Sequence, residues 1–138
     1  MAVNETILER CVQTICAICE SSKVDRFRIG YTLQPIHKRS AHYRGDKWNH
    51  IVALADQMCR EDALDLEKHL FLRMQSDKQG LLYFKYDQLI RHKAYRRSAG
   101  GKTEERKDEK IHSVYIAWAD AVASPAILRK IARQKNGL

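Results

Sequence analysis

Residues 24–32 read VDRFRIGYT. β-branched and aromatic residues are frequent in this stretch, which predicts a β-strand, and Gly30 near its end indicates a bulge or a close approach to the backbone. Residues 14–19, TICAIC, are apolar on both faces and too short for a buried helix. We therefore expect residues 14–19 to form a central strand that pairs with residues 24–32 as a hairpin across Ser21 and Ser22.

The residues on either side of this hairpin predict further helices and one more strand. Asn4 is expected to cap a short N-terminal helix, and Pro35 suits the first turn of a helix that runs to about Arg44. Residues 48–57 predict a third strand, and residues 60–74 predict the clearest helix, with an acidic first turn that suits the helix dipole. The expected fold is α/β of the α+β kind, with a small three-stranded antiparallel sheet flanked by helices.

The second half of the chain is less regular in its pattern. Residues 81–95 are apolar, then aromatic, then basic, and favour a helix after Tyr86. Residues 98–110 contain two glycines and many charges, which predicts a mobile exposed loop. Residues 114–118, VYIAW, fit either a strand or a buried helical turn, and Ser124 is expected to cap a strongly basic C-terminal helix.

The length of the chain favours a single folding unit. Its 138 residues are close to the usual size of one domain and suffice to bury a core without metals or disulfides. We expect a domain of residues 1–97, then the charged loop of residues 98–110. A C-terminal strand and helix, residues 111–138, are expected to pack on the same domain.

Composition favours a polyanionic partner. Lys and Arg number 25 against 17 Asp and Glu, a net charge of +8, which suits nucleic acid. No run is apolar enough to span a bilayer and no signal-peptide pattern opens the chain, so we expect a cytoplasmic protein with reduced cysteines and no membrane partner. Cys16 and Cys19 have C-x-x-C spacing, but on the expected strand they would point to opposite faces, which disfavours a metal site.

The helix of residues 60–74 has a carboxylate on its apolar face. On a helical wheel, Glu67 falls inside the apolar stripe. That stripe consists of Ala63, Leu66, Leu70, Phe71 and Met74. A carboxylate in such a place is costly unless it is paired, hydrogen-bonded or bound to a cation. Glu67 is therefore either a rim residue that reaches water or pairs with an Arg, or the ligand of a cation.

The preceding predicted helix also has polar residues on its apolar face. Arg39 and Tyr43 lie one turn apart on the face of Ile36, whereas Lys38 is rotated away. If Arg39 and Tyr43 converge with Glu67, they form either a structural ion pair with a packed Tyr or a phosphodiester site. In the second case the Arg stabilises charge on the phosphate, the Glu holds a divalent cation, and the phenol positions or deprotonates a water.

The order of these elements resembles that of the GIY-YIG nuclease superfamily over residues 17–71. The second motif of that family, Y-I-G-x-T, is matched by Arg28-Ile29-Gly30-Tyr31-Thr32, in which Gly30 and Thr32 are structural residues. Arg28 suits the branches that begin this motif with Lys. The first motif, G-I-Y, is best matched by Ala17-Ile18-Cys19, so Cys19 stands where the family has its first Tyr.

The resemblance also assigns roles to the two helices. Arg39 matches the essential Arg of the family, Tyr43 matches the His or Tyr one turn later, and Glu67 matches the metal-binding Glu. It implies a metal-dependent DNA endonuclease that nicks or cleaves phosphodiester bonds by one-metal hydrolysis, with Mg²⁺ or Mn²⁺ on Glu67. The implied catalytic residues are Arg39, Tyr43, Glu67, Arg28, Tyr31 and Cys19. Either of the tyrosines or the thiol would aid the attacking water, or the site would be inactive.

Basic residues in several parts of the chain are expected to contact DNA. Residues 91–97, RHKAYRR, suit backbone phosphates and one stacked base, or form a solvated basic face. The expected nucleic-acid-binding residues are Lys38, Arg91, Lys93, Arg96, Arg97, Arg129, Lys130 and Arg133. The alternatives to an endonuclease are a catalytically inactive GIY-YIG-fold module that binds nucleic acid or regulates, and a protein-interaction domain. These patterns leave the oligomeric state open.

Overall fold

The protein has an α+β fold, and its computed structural model describes residues 4–33, 48–88, 91, 93–97 and 102–121. In chain order the elements of this part are α1 (Glu5–Cys19), β1 (Val24–Thr32), β2 (His50–Met58), α2 (Arg60–Gln75), α3 (Leu81–Lys85), α4 (Lys102–Glu105) and β3 (His112–Asp120). The bounds of β1 and α2, and the third strand near residues 48–57, agree with the sequence predictions. The predicted helices at residues 35–44 and after Ser124 lie outside the described residues.

The sheet has three antiparallel strands in the order β1-β3-β2. Residues 114–118 therefore belong to a strand, and that strand is the central one. Every residue from His112 to Ala117 is buried, which explains why this stretch lacks the alternation of a half-exposed strand. Ile29 of β1 is the register partner of Ile116. Among the described strands β1 pairs only with β3, so its other side is an edge of this sheet, with one isolated bridge from Phe27 to Tyr86.

The predicted hairpin of residues 14–19 with β1 is wrong, because residues 14–19 are the last turns of α1. The side chain of Asn4 accepts hydrogen bonds from the backbone N–H groups of Thr6 and Ile7 and begins the helix. The buried residues of α1 are Leu8, Cys11, Ile15 and Cys19. This spacing of three and four residues continues one helical face to Cys19, so the apolar stretch is half of an amphipathic helix.

The core lies between the sheet and the two long helices. The buried apolar residues of α2 are Ala63, Leu64, Leu66, Leu70, Phe71 and Met74, which confirms the predicted stripe. These side chains join Phe27, Ile29 and Tyr31 of β1 in the main cluster. A smaller cluster on the opposite face of the sheet contains Trp48, Tyr115, Ala117 and Ala119.

At Gly30, on the sheet face that carries the smaller cluster, there is no room for a side chain. A methyl group there would overlap the phenol of Tyr115, the residue opposite it on β3. The close approach expected at Gly30 is therefore confirmed, and the neighbour is an aromatic ring.

The predicted helix after Tyr86 is wrong, because α3 ends at Lys85 and no helix follows among the described residues up to 97. Tyr86 instead forms a bridge to Phe27 at the edge of β1, and the N–H of Asp87 donates to the carbonyl of Phe27 at 2.9 Å. The charged loop of residues 98–110 contains the short helix α4, and residues 104–110 are exposed. The domain boundaries stay predictions.

The helices in the described part of the chain are all too short or too polar to cross a bilayer.

Candidate functional site

A cleft of about 610 Å³ opens beside α2 and the edge of β1. Its described lining residues are Ile29, Glu67, Phe71, Lys93, Ala94, Tyr95 and Arg96. One wall is apolar and comes from the core, and the other is the polar segment 93–96. Glu67 is the acidic residue among these, and Lys93 and Arg96 line the same cleft. Such a mixture of apolar walls and a few polar groups is typical of a ligand site.

Two hydrogen bonds hold the carboxylate of Glu67. The phenol of Tyr95 donates to Oε1 at 2.8 Å, and the backbone N–H of Tyr31 also donates to this carboxylate. Burial raises the pKa of Glu67, and the two hydrogen bonds lower that pKa in part. The hydrogen bonds therefore orient the carboxylate, but burial still disfavours its negative charge. A cation bound to the carboxylate would stabilise that charge.

The edge of β1 explains why Glu67 meets the backbone of Tyr31. The carbonyl of Phe27 accepts from Asp87, so the polar groups of Phe27 point away from β3. Backbone groups of a strand alternate in direction, so those of Ile29 and Tyr31 also point to this open edge. Glu67 therefore meets the edge within the stretch that matches the Y-I-G-x-T motif.

The phenol of Tyr31 contacts the buried ring of His112. His112 Nε2 lies 2.7 Å from the carbonyl of Arg106 and must donate to it, which leaves Nδ1 to accept from the Tyr31 hydroxyl at 2.6 Å. This tautomer is assigned from the hydrogen bonds. Both residues are buried. The structure thus brings the backbone of Tyr31, and not its phenol, to the carboxylate.

Tyr86 lies behind the cleft wall. Its ring stacks on Phe27 at 5.2 Å and meets the edge of Phe71 at 5.9 Å. Its hydroxyl is buried and has no hydrogen-bond partner among the described residues. Burial raises the pKa of Tyr86, the charge of Glu67 raises it further, and the charge of Arg28 lowers it. Nearby charges of opposite sign therefore act on the pKa of this hydroxyl in opposite directions.

Arg28 is not in contact with Glu67. Its guanidinium forms an ion pair with Asp87 at 3.3 Å and lies 5.9 Å from the centre of the Trp48 ring. Trp48 belongs to the cluster on the face opposite α2. Arg28 and Glu67 therefore approach the edge of β1 from opposite faces of the sheet. Thr32, the last motif residue, is buried at the end of β1.

Cys19 is sealed inside the core at the end of α1. Its side chain is fully buried, and burial raises the pKa of its thiol to about 12. Lys85 Nζ donates to the backbone carbonyl of Cys19 at 2.7 Å. The role expected for Cys19 rested on a strand that is in fact helix. A fully buried thiol with a raised pKa is poorly suited to activating water, because the thiolate is the reactive form.

The described basic residues lie around the cleft in different settings. Lys93 and Arg96 line it. Arg97 is paired with Glu61 at the surface, and Arg91 packs on the aromatic rings of α3. Arg39, Tyr43, Lys38, Arg129, Lys130 and Arg133 lie outside the described residues.

Sequence reasoning missed three residues of this neighbourhood: Tyr86, Tyr95 as the partner of Glu67, and His112. Tyr95 was noted only as a base-stacking residue of the basic segment. The position of Glu67 on an apolar helix face did indicate that its carboxylate needs a hydrogen-bond donor. The pattern could not identify Tyr95 as that donor, because Tyr95 lies 28 residues further along the chain. His112 required the pairing of β1 with β3, which the sequence did not indicate.

No protein-family model matches this chain, and no curated protein or solved structure matches it significantly. Within the described residues, no group of three or more His, Cys, Asp and Glu is placed to hold a metal ion. The residues around Glu67 nevertheless fit Mg²⁺ in one respect. Mg²⁺ keeps most of its waters and is commonly held by one or two carboxylates together with substrate phosphates.

Proposed function

We propose that this protein is a metal-dependent DNA endonuclease of the GIY-YIG type, which nicks or cleaves phosphodiester bonds by one-metal hydrolysis. The observation that supports this most is Glu67. It is a carboxylate with a raised pKa in an open cleft that Lys93 and Arg96 also line, and it is hydrogen-bonded to the edge of the strand that resembles Y-I-G-x-T.

The proposed cation is Mg²⁺ or Mn²⁺, with Glu67 as its protein ligand. Bound there, the ion would supply Lewis-acid stabilisation of the phosphate oxygens. Tyr95 and the Tyr31 backbone orient the carboxylate, which is the role of outer-shell partners at metal sites. Lys93 and Arg96 attract the phosphate backbone to the same cleft.

The remaining roles rest on the resemblance alone. Arg39 is proposed to neutralise charge on the phosphate, and Tyr43 to assist the attacking water. Arg28 is a weaker candidate for the first role, because Asp87 already binds it on the other face of the sheet. The phenol of Tyr31 is a weaker candidate for the second, because it donates to His112.

The test is nicking of supercoiled plasmid with Mg²⁺ or Mn²⁺. Wild type converts the plasmid to the open-circular form, and EDTA stops the reaction. Glu67→Gln and Arg39→Ala abolish it. Glu105→Gln, which removes an exposed carboxylate on α4, leaves it unchanged. Absence of nicking, or nicking by Glu67→Gln at the wild-type rate, contradicts the proposal.

A second candidate is a nucleic-acid-binding module without catalysis. It is favoured by the helical state of residues 17–19, because no strand carries the first motif among the described residues. This candidate expects binding that weakens steeply with salt and does not require metal. It also expects Glu67→Gln to bind nucleic acid as wild type does, with no cleavage by either protein.

A further inference from the structure

The short helix α3 presents aromatic side chains to solvent. Phe84 has a relative exposure of 70%, an unusual value for so large an apolar side chain. The guanidinium of Arg91 lies 5.3 Å from the ring centre of Tyr83 and 5.8 Å from that of Phe84. We call Tyr83, Phe84 and Arg91 the aromatic platform.

Arg91 is held in this position by the backbone of α3. Its Nη1 donates to the carbonyl of Phe84 at 2.8 Å, with a longer bond of 3.5 Å to that of Tyr83. Both carbonyls belong to the last turn of the helix, and that of Tyr83 also accepts from the N–H of Tyr86 at 3.2 Å. The guanidinium of Arg91 is therefore positioned against the two rings before any ligand arrives, which lowers the entropic cost of binding.

Tyr83 and Arg91 connect the platform to the Glu67 cleft, whereas Phe84 lies outside the lining of both clefts. A second cleft of about 330 Å³ is lined by Gln75, Lys78, Tyr83, Arg91, Lys93 and Ala94. Lys93 and Ala94 also line the Glu67 cleft. The amide of Gln75 donates to the carbonyls of Arg91 and Lys93 at 2.8 and 2.9 Å and holds the shared wall against α2.

The charges along this path suit a phosphate backbone. The described lining of the second cleft includes Lys78, Arg91 and Lys93 and no carboxylate. Cationic grooves that carry an accessible aromatic ring are the usual binding sites for single-stranded nucleic acid, since each unpaired base has a face that can stack. A base inside a duplex has no free face to offer to Phe84.

We propose that the aromatic platform binds an unpaired nucleobase, and that the attached phosphate backbone passes Lys93 into the Glu67 cleft. This inference rests on the proposed function and specifies its substrate as nucleic acid with a single-stranded segment. The base stacks on Phe84, while Lys78 and Lys93 contact the phosphates on either side.

The experiment is fluorescence anisotropy in EDTA, where binding is measured without cleavage. The probes are a labelled oligothymidylate and a blunt duplex of the same length. Phe84→Ala is expected to weaken binding of the single strand about tenfold, with less than about a twofold change for the duplex. Phe84→Trp is expected to retain binding of the single strand. Leu72→Ala, which removes another exposed apolar side chain on α2, is the matched control and is expected to leave both affinities unchanged.

Several results would overturn the proposal. These are a wild-type preference for the duplex, no binding of either probe, or the same affinities for Phe84→Ala and Leu72→Ala. A change of oligomeric state on Phe84→Ala, measured by sedimentation with unchanged binding, would make the platform a contact between copies of this chain. The endonuclease proposal is tested by a different measurement, because nicking is expected to depend on metal and on Glu67 and not on Phe84.

Discussion

Glu67 and Cys19 are ionisable groups on neighbouring helices, and they differ in access, since Glu67 is partly buried and Cys19 is fully buried. Burial raises the pKa of both, that of Cys19 to about 12. Glu67 opens to a cleft and accepts from Tyr95, whereas the thiol of Cys19 is fully enclosed by the core. Both pKa values are raised by burial, so what distinguishes Glu67 as the proposed functional group is the cleft with its oriented donors.

The largest expected contrast between these residues is in nicking. Glu67→Gln keeps the shape of the side chain but removes the charge that binds the cation, and we expect at least about a hundredfold loss of rate. Cys19→Ala leaves the rate within about twofold and instead lowers stability by about 1 kcal/mol through lost packing. Plasmid nicking and urea unfolding measure both effects. A loss of nicking in folded Cys19→Ala would restore the thiol as a catalytic group.

Tyr95 provides the next test, because it orients Glu67. Tyr95→Phe removes the hydroxyl that donates to Oε1 at 2.8 Å, and partners of this kind change metal affinity by about tenfold or more. We expect the Mn²⁺ concentration needed for half-maximal nicking to rise by about that factor, with a smaller change in the maximal rate. Leu72→Ala is the control, since it removes an exposed side chain of α2 that lines neither cleft. Equal metal dependence of wild type and Tyr95→Phe would limit Tyr95 to packing.

Removal of the hydroxyl from Tyr31 and from Tyr86 should change the free energy of unfolding in opposite directions. Tyr31→Phe leaves the buried Nδ1 of His112 without its donor, and we expect a loss of about 1–2 kcal/mol in the free energy of unfolding. Tyr86→Phe removes a buried hydroxyl that lacks a partner among the described residues, and we expect a gain of about 1 kcal/mol. Denaturant unfolding of both variants tests this, and destabilisation by Tyr86→Phe would show that its hydroxyl has a partner.

The smallest expected effect is the pH dependence of stability due to Glu67. Because its pKa is raised above 4.5 in the folded chain, the folded state binds this proton more tightly than the unfolded state. Its stabilising contribution is complete below the unfolded value and is lost as the pH rises through the raised value. Without divalent cations, Glu67→Gln should therefore gain stability relative to wild type between about pH 4 and about pH 8. A constant difference over that range would show that burial does not disfavour the charge.

The sequence predicted correctly the elements whose apolar residues follow one clear period. The strand of residues 24–32 and the face of α2 followed from local patterns, and the wheel found Glu67. The strand prediction for residues 14–19 is wrong because so short a stretch shows neither period, and only the continuation from Leu8 through Cys11 reveals the helix. Tyr95 and His112 were missed for another reason: each reaches its partner through tertiary contacts that depend on strand order and loop path.

The most direct measurement is the titration of the Glu67 carboxyl by ¹³C NMR, with and without Mg²⁺, with the signal assigned by its absence in Glu67→Gln. Without the ion, we expect a midpoint above the ordinary value for Glu. With Mg²⁺ the midpoint moves to lower pH, because the ion binds the charged form. A midpoint that is the same in both conditions would contradict a cation site at Glu67.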